Sequence, residues 1–479
     1  MKKKLVVTMI ALFILAFSFV TLPKKANAIP AFAQKYHFSC AVCHTVFPNL
    51  NPFGRAFWRN GFRLPGTNGT PSDATQITEG LSLPNPWPIP VMVEPIIGYQ
   101  HYTNENVSPA TDAFSASVDV VDAGAFKLYT PLANSLSFYV HYGFGTGKGP
   151  INGKQIFASI NGLGTGFGVP SHLFNLKLGQ VTTASPYFYR QMPFYLISTP
   201  QGSPQLGTAV IGAGQGLNVG YDSEAGSLIH ARNLGFALYG TPGYHLWYKV
   251  SVTNDAGSSG VNAASGINNV NNPTGTGVSN AMEYSYQLKE YYPIPMGQLE
   301  FGYYGASISQ PLHNATVGAW NDSVQVNGVD VDLANDIYEL GLTYMQQRDN
   351  HPYGPNGITY GGNTQNSNGY NTFEVYGRYL LPQIGNGLML SADYAAYSWT
   401  HKSAQEAFNG TYGTACDNAG LYESGIYTSS NGCSNEGVKD AFAIQAEYNL
   451  AYNAHLYLGY LFTNKSQDNT IGTGLDFAF

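Results

Sequence analysis

The sequence predicts a mainly β protein: a transmembrane antiparallel β-barrel of about sixteen strands, with a small helical or irregular segment at its N-terminal end. Three observations predict it. Apolar and polar residues alternate with period two over most of the chain, the composition is poor in charge, and tight turns alternate with long polar loops. Charged residues make up 11% of the 479 and aromatics 14%, with 35 Tyr and 55 Gly. A soluble protein normally carries roughly a quarter charged residues. A barrel with aromatic girdles and a polar lumen needs far fewer.

The N-terminus comes first. Lys2, Lys3 and Lys4 precede an almost continuous apolar run over 5–20, and Ala26-Asn27-Ala28 supplies small residues for cleavage. Charge, apolar stretch and small-x-small exit in that order read as a secretory signal peptide over 1–28. The apolar run is short for a membrane-spanning helix, which needs roughly twenty residues. Export places the mature chain where disulfides form. The leader holds Lys24 and Lys25 as well as the first three lysines, so the mature chain is more acidic than the net −7 of the full sequence. That excess of acid disfavours nucleic acid as a partner and suits cations.

Three further regions follow. Residues 29–68 are compact and motif-rich. Residues 69–90 form a connector ending in Pro84-Asn85-Pro86-Trp87-Pro88-Ile89-Pro90, expected to be extended or polyproline-like. Residues 91–479 carry the alternation and form the barrel. Leu136, Phe138, Val140, Tyr142 and Phe144 share one face, against Ser135, Ser137, Tyr139 and His141. Met282, Tyr284, Tyr286 and Leu288 oppose Glu283, Ser285, Gln287 and Lys289. Phe442, Ile444, Ala446, Tyr448 and Leu450 oppose Ala443, Gln445, Glu447 and Asn449. Period two means strands with one apolar and one polar face. A soluble sandwich has the same period, so the other faces weigh in: they carry Glu94, Lys177, Lys249, Glu339, Glu374 and Arg378, as a hydrated lumen would. The chain also ends in an alternating strand with a terminal Phe479, resembling the assembly signal of bacterial outer-membrane barrels.

Turn parity fixes the count. Tight turns at Thr241-Pro242-Gly243, 293–297 and 382–387 mix with long polar loops at 255–278, 310–335 and 399–439. About fifteen candidate strands are directly readable. That number leaves the 382–387 turn and the 399–439 loop on the wrong sides of the membrane. One further strand between 310 and 371 restores the parity and gives about sixteen, the even number of bacterial barrels.

Cys40-Ala41-Val42-Cys43-His44 is the motif that carries chemistry. Two thiols three positions apart can add to the two vinyl groups of haem, and the adjacent histidine then reaches the iron. A redox dithiol would want a βαβ setting, and a zinc site a second ligand pair. The remaining cysteines, Cys416 and Cys433, lie far away in one long loop, where a disulfide is the simple expectation. The expectation is therefore one covalently bound haem c, attached by Cys40 and Cys43 with His44 as axial ligand. The sixth position is open. Met92 starts the first strand with its side chain phased into the lumen and is a candidate ligand to the haem iron; a water, a vacancy or another side chain are the alternatives. His37 sits awkwardly on the proximal stretch and His101 has the opposite phase. His141 and His455 are lumen-phased, where a histidine is more often a hydrated pore residue.

Ile29-Pro30-Ala31-Phe32-Ala33, the haem motif, Pro48-Asn49-Leu50-Asn51-Pro52-Phe53-Gly54-Arg55-Ala56-Phe57 and Gly61-Phe62 together resemble the fused monohaem porin–cytochromes. Their best-known members are outer-membrane ferrous-iron oxidases of iron-oxidising bacteria. The resemblance is close over 29–64; the barrel agrees in length and position. Two departures stand out: Gln34-Lys35-Tyr36 where the iron oxidases commonly carry Arg-Gln-Thr, and Trp58 where they often carry Lys. The resemblance implies an electron conduit in the outer membrane of a Gram-negative cell, in enzyme terms an Fe(II):cytochrome c oxidoreductase. Its electrons would come from extracellular Fe²⁺ or another reductant and leave to a periplasmic cytochrome or copper protein. The haem segment would face the periplasm or the lumen, with Phe53, Phe57 and Phe62 covering the haem edge and Arg55 pairing a propionate; a small apolar core and a surface arginine are the plainer readings. Glu94, Glu283 and Asp393 could attract Fe²⁺ or simply hydrate the pore. Two other function classes fit the same features: a transport porin with a haem-containing plug or sensor, and a periplasmic haem peroxidase.

Overall fold

Alternating residues place one face of a strand toward each side of a sheet, and a sheet whose two faces differ this sharply is stable in lipid only when it closes on itself. In a computed structural model of the chain it does. The structure describes residues 32, 36, 38–46, 49–64, 76–78, 81–82, 91–102, 112–128, 130–145, 152–182, 232–254, 267–269, 282–314, 318–351, 356–360, 362–400, 440–451, 454–463 and 470–477. The signal segment, His37, the 84–90 proline run, Cys416 and Cys433 lie outside these.

Among the described residues, sixteen antiparallel strands form the wall: β1 Met92–Tyr102, β2 Asp112–Leu128, β3 Ser135–Gly145, β4 Asn152–Asn161, β5 Asn175–Thr182, β6 Arg232–Gly240, β7 Leu246–Asn254 and β8 Met282–Ile294, then β9 Gly297–Asn314, β10 Gly318–Ala334, β11 Tyr338–Asp349, β12 Asn368–Leu381, β13 Leu388–Trp399, β14 Asp440–Ala451, β15 Ala454–Thr463 and β16 Thr470–Phe477. Each pairs with its neighbours in sequence, and β16 closes on β1 from Thr470↔Tyr102 to Asp476↔Ile96. Closure removes the free edges that an open sheet would expose.

The strand called for by parity is β10. The 310–335 stretch is thus not a long loop, as its polarity suggested, but the end of β9, a short connection and β10. Its outward residues there include Gln325 and Asn327, and its inward ones Asp330 and Asp332, so the strand is polar on both faces and its alternation is muted.

The expected faces hold. Tyr284, Leu288, Leu340 and Leu458 are exposed on the outer wall, while Glu283, Lys289, Glu339 and Glu447 are buried inside. Turns at 241–245, 295–296, 335–337 and 382–387 all fall at one rim, which also holds the start of β1 and the end of β16. Short strands at Gln76–Thr78 and Leu81–Ser82 join that rim through Leu81↔Leu128 and Ser82↔Lys127.

Candidate functional site

The 38–64 segment folds inside the barrel. Its local structure follows from a few side chains. Cys40–Val42 form a single 3-10 turn, closed by the Val42 N–H donating to Ser39 O at 3.1 Å. His44–Val46 pairs with Asn49–Leu50. Asn51 then caps helix α1, Pro52–Arg59: its Oδ1 accepts from Gly54 N at 2.9 Å, and Pro52 at the first helical position gives up an N–H that would have been unsatisfied. The same Asn51 holds the motif loop. Its backbone N–H donates to Cys43 O at 2.9 Å and its Nδ2 to Val42 O at 3.0 Å. Gly54 sits so close to Cys43 that a Cβ would collide with Cys43 O and press on Leu50. Helix and motif are therefore one rigid unit.

Helix α1 is amphipathic and spans the lumen between two unlike walls. Its cationic face meets β8–β12. Arg55 Nη1 is 2.7 Å from Asp332 Oδ1, its Nη2 2.5 Å from Glu339 Oε1, and Glu300 is 3.7 Å away. Arg59 Nη2 donates to Glu300 Oε2 at 2.8 Å, and its guanidinium stacks 4.7 Å over the Tyr291 ring. Glu339 is shared with Arg378, and Tyr376 donates to Asp332 at 2.5 Å. Burial alone would oppose the charge on Arg55, but Glu339, Asp332 and Glu300 more than offset it and hold its pKa well above the usual arginine range.

The apolar face meets β1–β4. Phe57 and Phe62 pack with Met92, Ala123, Tyr139 and Phe157, and Phe32, Tyr36, Trp58 and Leu64 cover them. Phe62 stacks on Phe157 (6.3 Å, 9° between planes), and Trp58 meets Tyr139 edge-on at 5.0 Å. Phe62 reaches this place through two consecutive left-handed residues, Gly61 at φ 67° and Phe62 itself at φ 62°. Such a conformation costs a non-glycine residue about 1 kcal/mol, offset here by burial of the ring. Beyond it Arg63 ties the segment to the rim: Nη2 donates to Asn175 Oδ1 at 2.7 Å and Nη1 to Ser171 O at 3.2 Å. Burial lowers its pKa somewhat, against the pull of Tyr239 and Tyr36. Burial also pushes the Tyr36 phenol up to about 12.

The sequence-predicted residues sit as follows. Cys43 is a half-buried thiol outside any disulfide, and His44 is half-buried. Met92 does face inward and is 1% exposed, but its neighbours are the aromatic cluster around Phe57. Glu94, His141 and His455 also face the lumen. His455 Nδ1 lies 2.8 Å from Asn449 Oδ1. Arg55 is neither a surface residue nor directed at an external anion: it is buried in the acidic wall. The acids that receive it, Glu300 and Asp332, escaped the sequence reading, because an inward acid on a strand looks the same whether it faces water or a guanidinium.

No protein-family model and no curated protein matches the chain. Among solved structures it is similar to a triple mutant of the Rh. blastica porin (12% identity over 81% of this chain and 99% of that one, TM-score 0.41). It is also similar to Salmonella typhi OmpF in complex with daunomycin (11%, 84% and 98%, TM-score 0.48) and to Pseudomonas putida OprB at high pH (8%, 84% and 94%, TM-score 0.48). The likeness is one of barrel fold.

Proposed function

We propose that the chain is an outer-membrane electron conduit, built as a porin-like barrel whose lumen holds a plug carrying one covalent haem c. The observation that carries this reading is the seating of the Cys40–His44 motif inside a closed barrel, at the rim of short turns, with an apolar outer wall toward lipid. Residues there suit such a group. The Cys43 thiol is not spent on a disulfide. Asn51 and Gly54 fix the backbone between the two cysteines, Tyr36 stacks on Phe38, and Phe38 meets Phe53 edge-on. Cys40 and Cys43 would hold the haem and His44 its iron; Met92 is proposed as a further side chain that would hold the iron, checked by the spectrum of Met92→Leu. When bound, haem supplies a one-electron couple.

The chain's own residues supply the rest. Two walls fix the plug in position, and the packed aromatic cluster excludes water from one side of it. Fe²⁺ outside loses one electron to become Fe³⁺, and a periplasmic cytochrome or copper protein gains that electron. The ferric product stays outside the cell. Barrel architecture taken alone supports a transport porin, its haem segment a plug or sensor, more directly than it supports a conduit. Protein reconstituted in liposomes with the long loops outward separates the two. Fe²⁺ added outside only should reduce the haem, and an internal acceptor should reoxidise it. Solute flux with no haem reduction would overturn the conduit in favour of the porin.

A further inference from the structure

Above the plug, midway along β12, β13 and β14, the lumen holds acids of a second kind. Glu374 and Asp393 are 1% and 2% exposed and stand on paired strands with their side chains on the same inner face. Asp393 is central: it lies opposite Tyr376 of β12 and Ala443 of β14, so Glu374 and Gln445 are each two residues along a neighbouring strand, within diagonal reach. Glu374 Oε2, Asp393 Oδ1 and Gln445 Oε1 are all buried and have no hydrogen-bond partner among the described residues. Unlike Glu300, Asp332 and Glu339, which each face an arginine, neither Glu374 nor Asp393 has an ion pair among the described residues.

Two buried carboxyl groups at diagonal spacing, with no cationic side chain paired to them, ionise together only at a high cost unless a cation lies between them; they hold a proton or they bind a metal. We infer that Glu374, Asp393 and Gln445 form a lumenal binding site for a hard divalent cation, of the class of Mn²⁺ or Mg²⁺. Two carboxylates match a charge of two, and oxygen-only donors select hard cations. Among the described residues no group of three or more His, Cys, Asp or Glu side chains gathers as a metal cage. Waters therefore complete the coordination, which makes the site exchangeable rather than structural. It lies between the long-loop rim and the plug, where an entering cation would pause. The site contains no residue of the 38–64 segment, so it stands independently of the haem.

Mn²⁺ titration of the detergent-purified full chain, read by EPR of the free ion, tests it. One saturable site is expected, equally in haem-loaded protein and in the Cys40→Ala/Cys43→Ala chain. Glu374→Gln/Asp393→Asn should weaken it by about tenfold or more, while Asp336→Asn in an exposed turn leaves it unchanged. If the double variant does not fold, Asp393→Asn alone and Gln445→Leu carry the test, each weakening Mn²⁺ by about threefold or more. Unchanged affinity in folded variants, or equal loss in Asp336→Asn, would overturn the site. Either result leaves the conduit reading to its own liposome experiment.

Discussion

The two walls that grip helix α1 hold it by opposite means. Toward β1–β4, Phe57, Phe62 and Trp58 sit among Tyr139, Phe157 and Met92, a contact that is non-directional and tolerant of small shifts. Toward β8–β12, Arg55 and Arg59 are fixed by Glu300, Asp332 and Glu339, a contact that works only in one geometry. The aromatic wall supplies attraction and the ionic wall supplies register. The difference teaches why a short segment can be placed accurately in a wide lumen: rings alone would let it slide, and ion pairs alone would barely repay the desolvation of so many charges.

Breaking the ionic wall has the largest expected effect. Glu300→Ala leaves Arg59 and part of Arg55 buried without their carboxylate, and should cost about 3–5 kcal/mol of plug docking. In planar bilayers this variant should show a raised single-channel conductance, whereas wild-type current would mean that the acids merely line the pore. Breaking the aromatic wall comes next. Phe62→Ala leaves a cavity against Phe157 and Tyr139 and should cost about 3 kcal/mol. Protease nicking near the plug should rise, and because the two walls are separate, the Glu300→Ala/Phe62→Ala penalty should be close to additive. The smallest change sharpens the comparison by sparing both walls. Asn51→Ala removes the cap and the clamp on Val42 O and should cost about 1 kcal/mol. Conductance should stay low while, if the proposed haem attachment holds, covalent haem per barrel falls; a variant that opened the pore instead would show that Asn51 belongs to the docking contacts.

Much of this was legible in the chain. Alternation at 135–144, 282–289 and 442–450 gave the correct inward and outward residues, because period two is a property of the extended backbone itself. Parity required a strand that local pattern hid, and β10 is that strand; its polar residues on both faces defeat any local reading. Phe57 and Phe62 were singled out, but the partners Tyr139 and Phe157 were not. Arg55 was directed at a propionate, whereas its carboxylates come from 245 to 284 residues downstream.

By itself, the sequence determined the barrel, its strand number, the inward phase of Met92, Glu94, His141 and His455, and the spacing of Cys40, Cys43 and His44. These are consequences of local periodicity and covalent reach. Only the tertiary structure decided that the motif segment lies within the lumen, that Asn51 and Gly54 clamp it to helix α1, and which lumenal acids are neutralised and which are not. Closure of the sheet brings residues hundreds of positions apart onto one inner surface, and the balance of charge on that surface belongs to the whole barrel, not to any one strand.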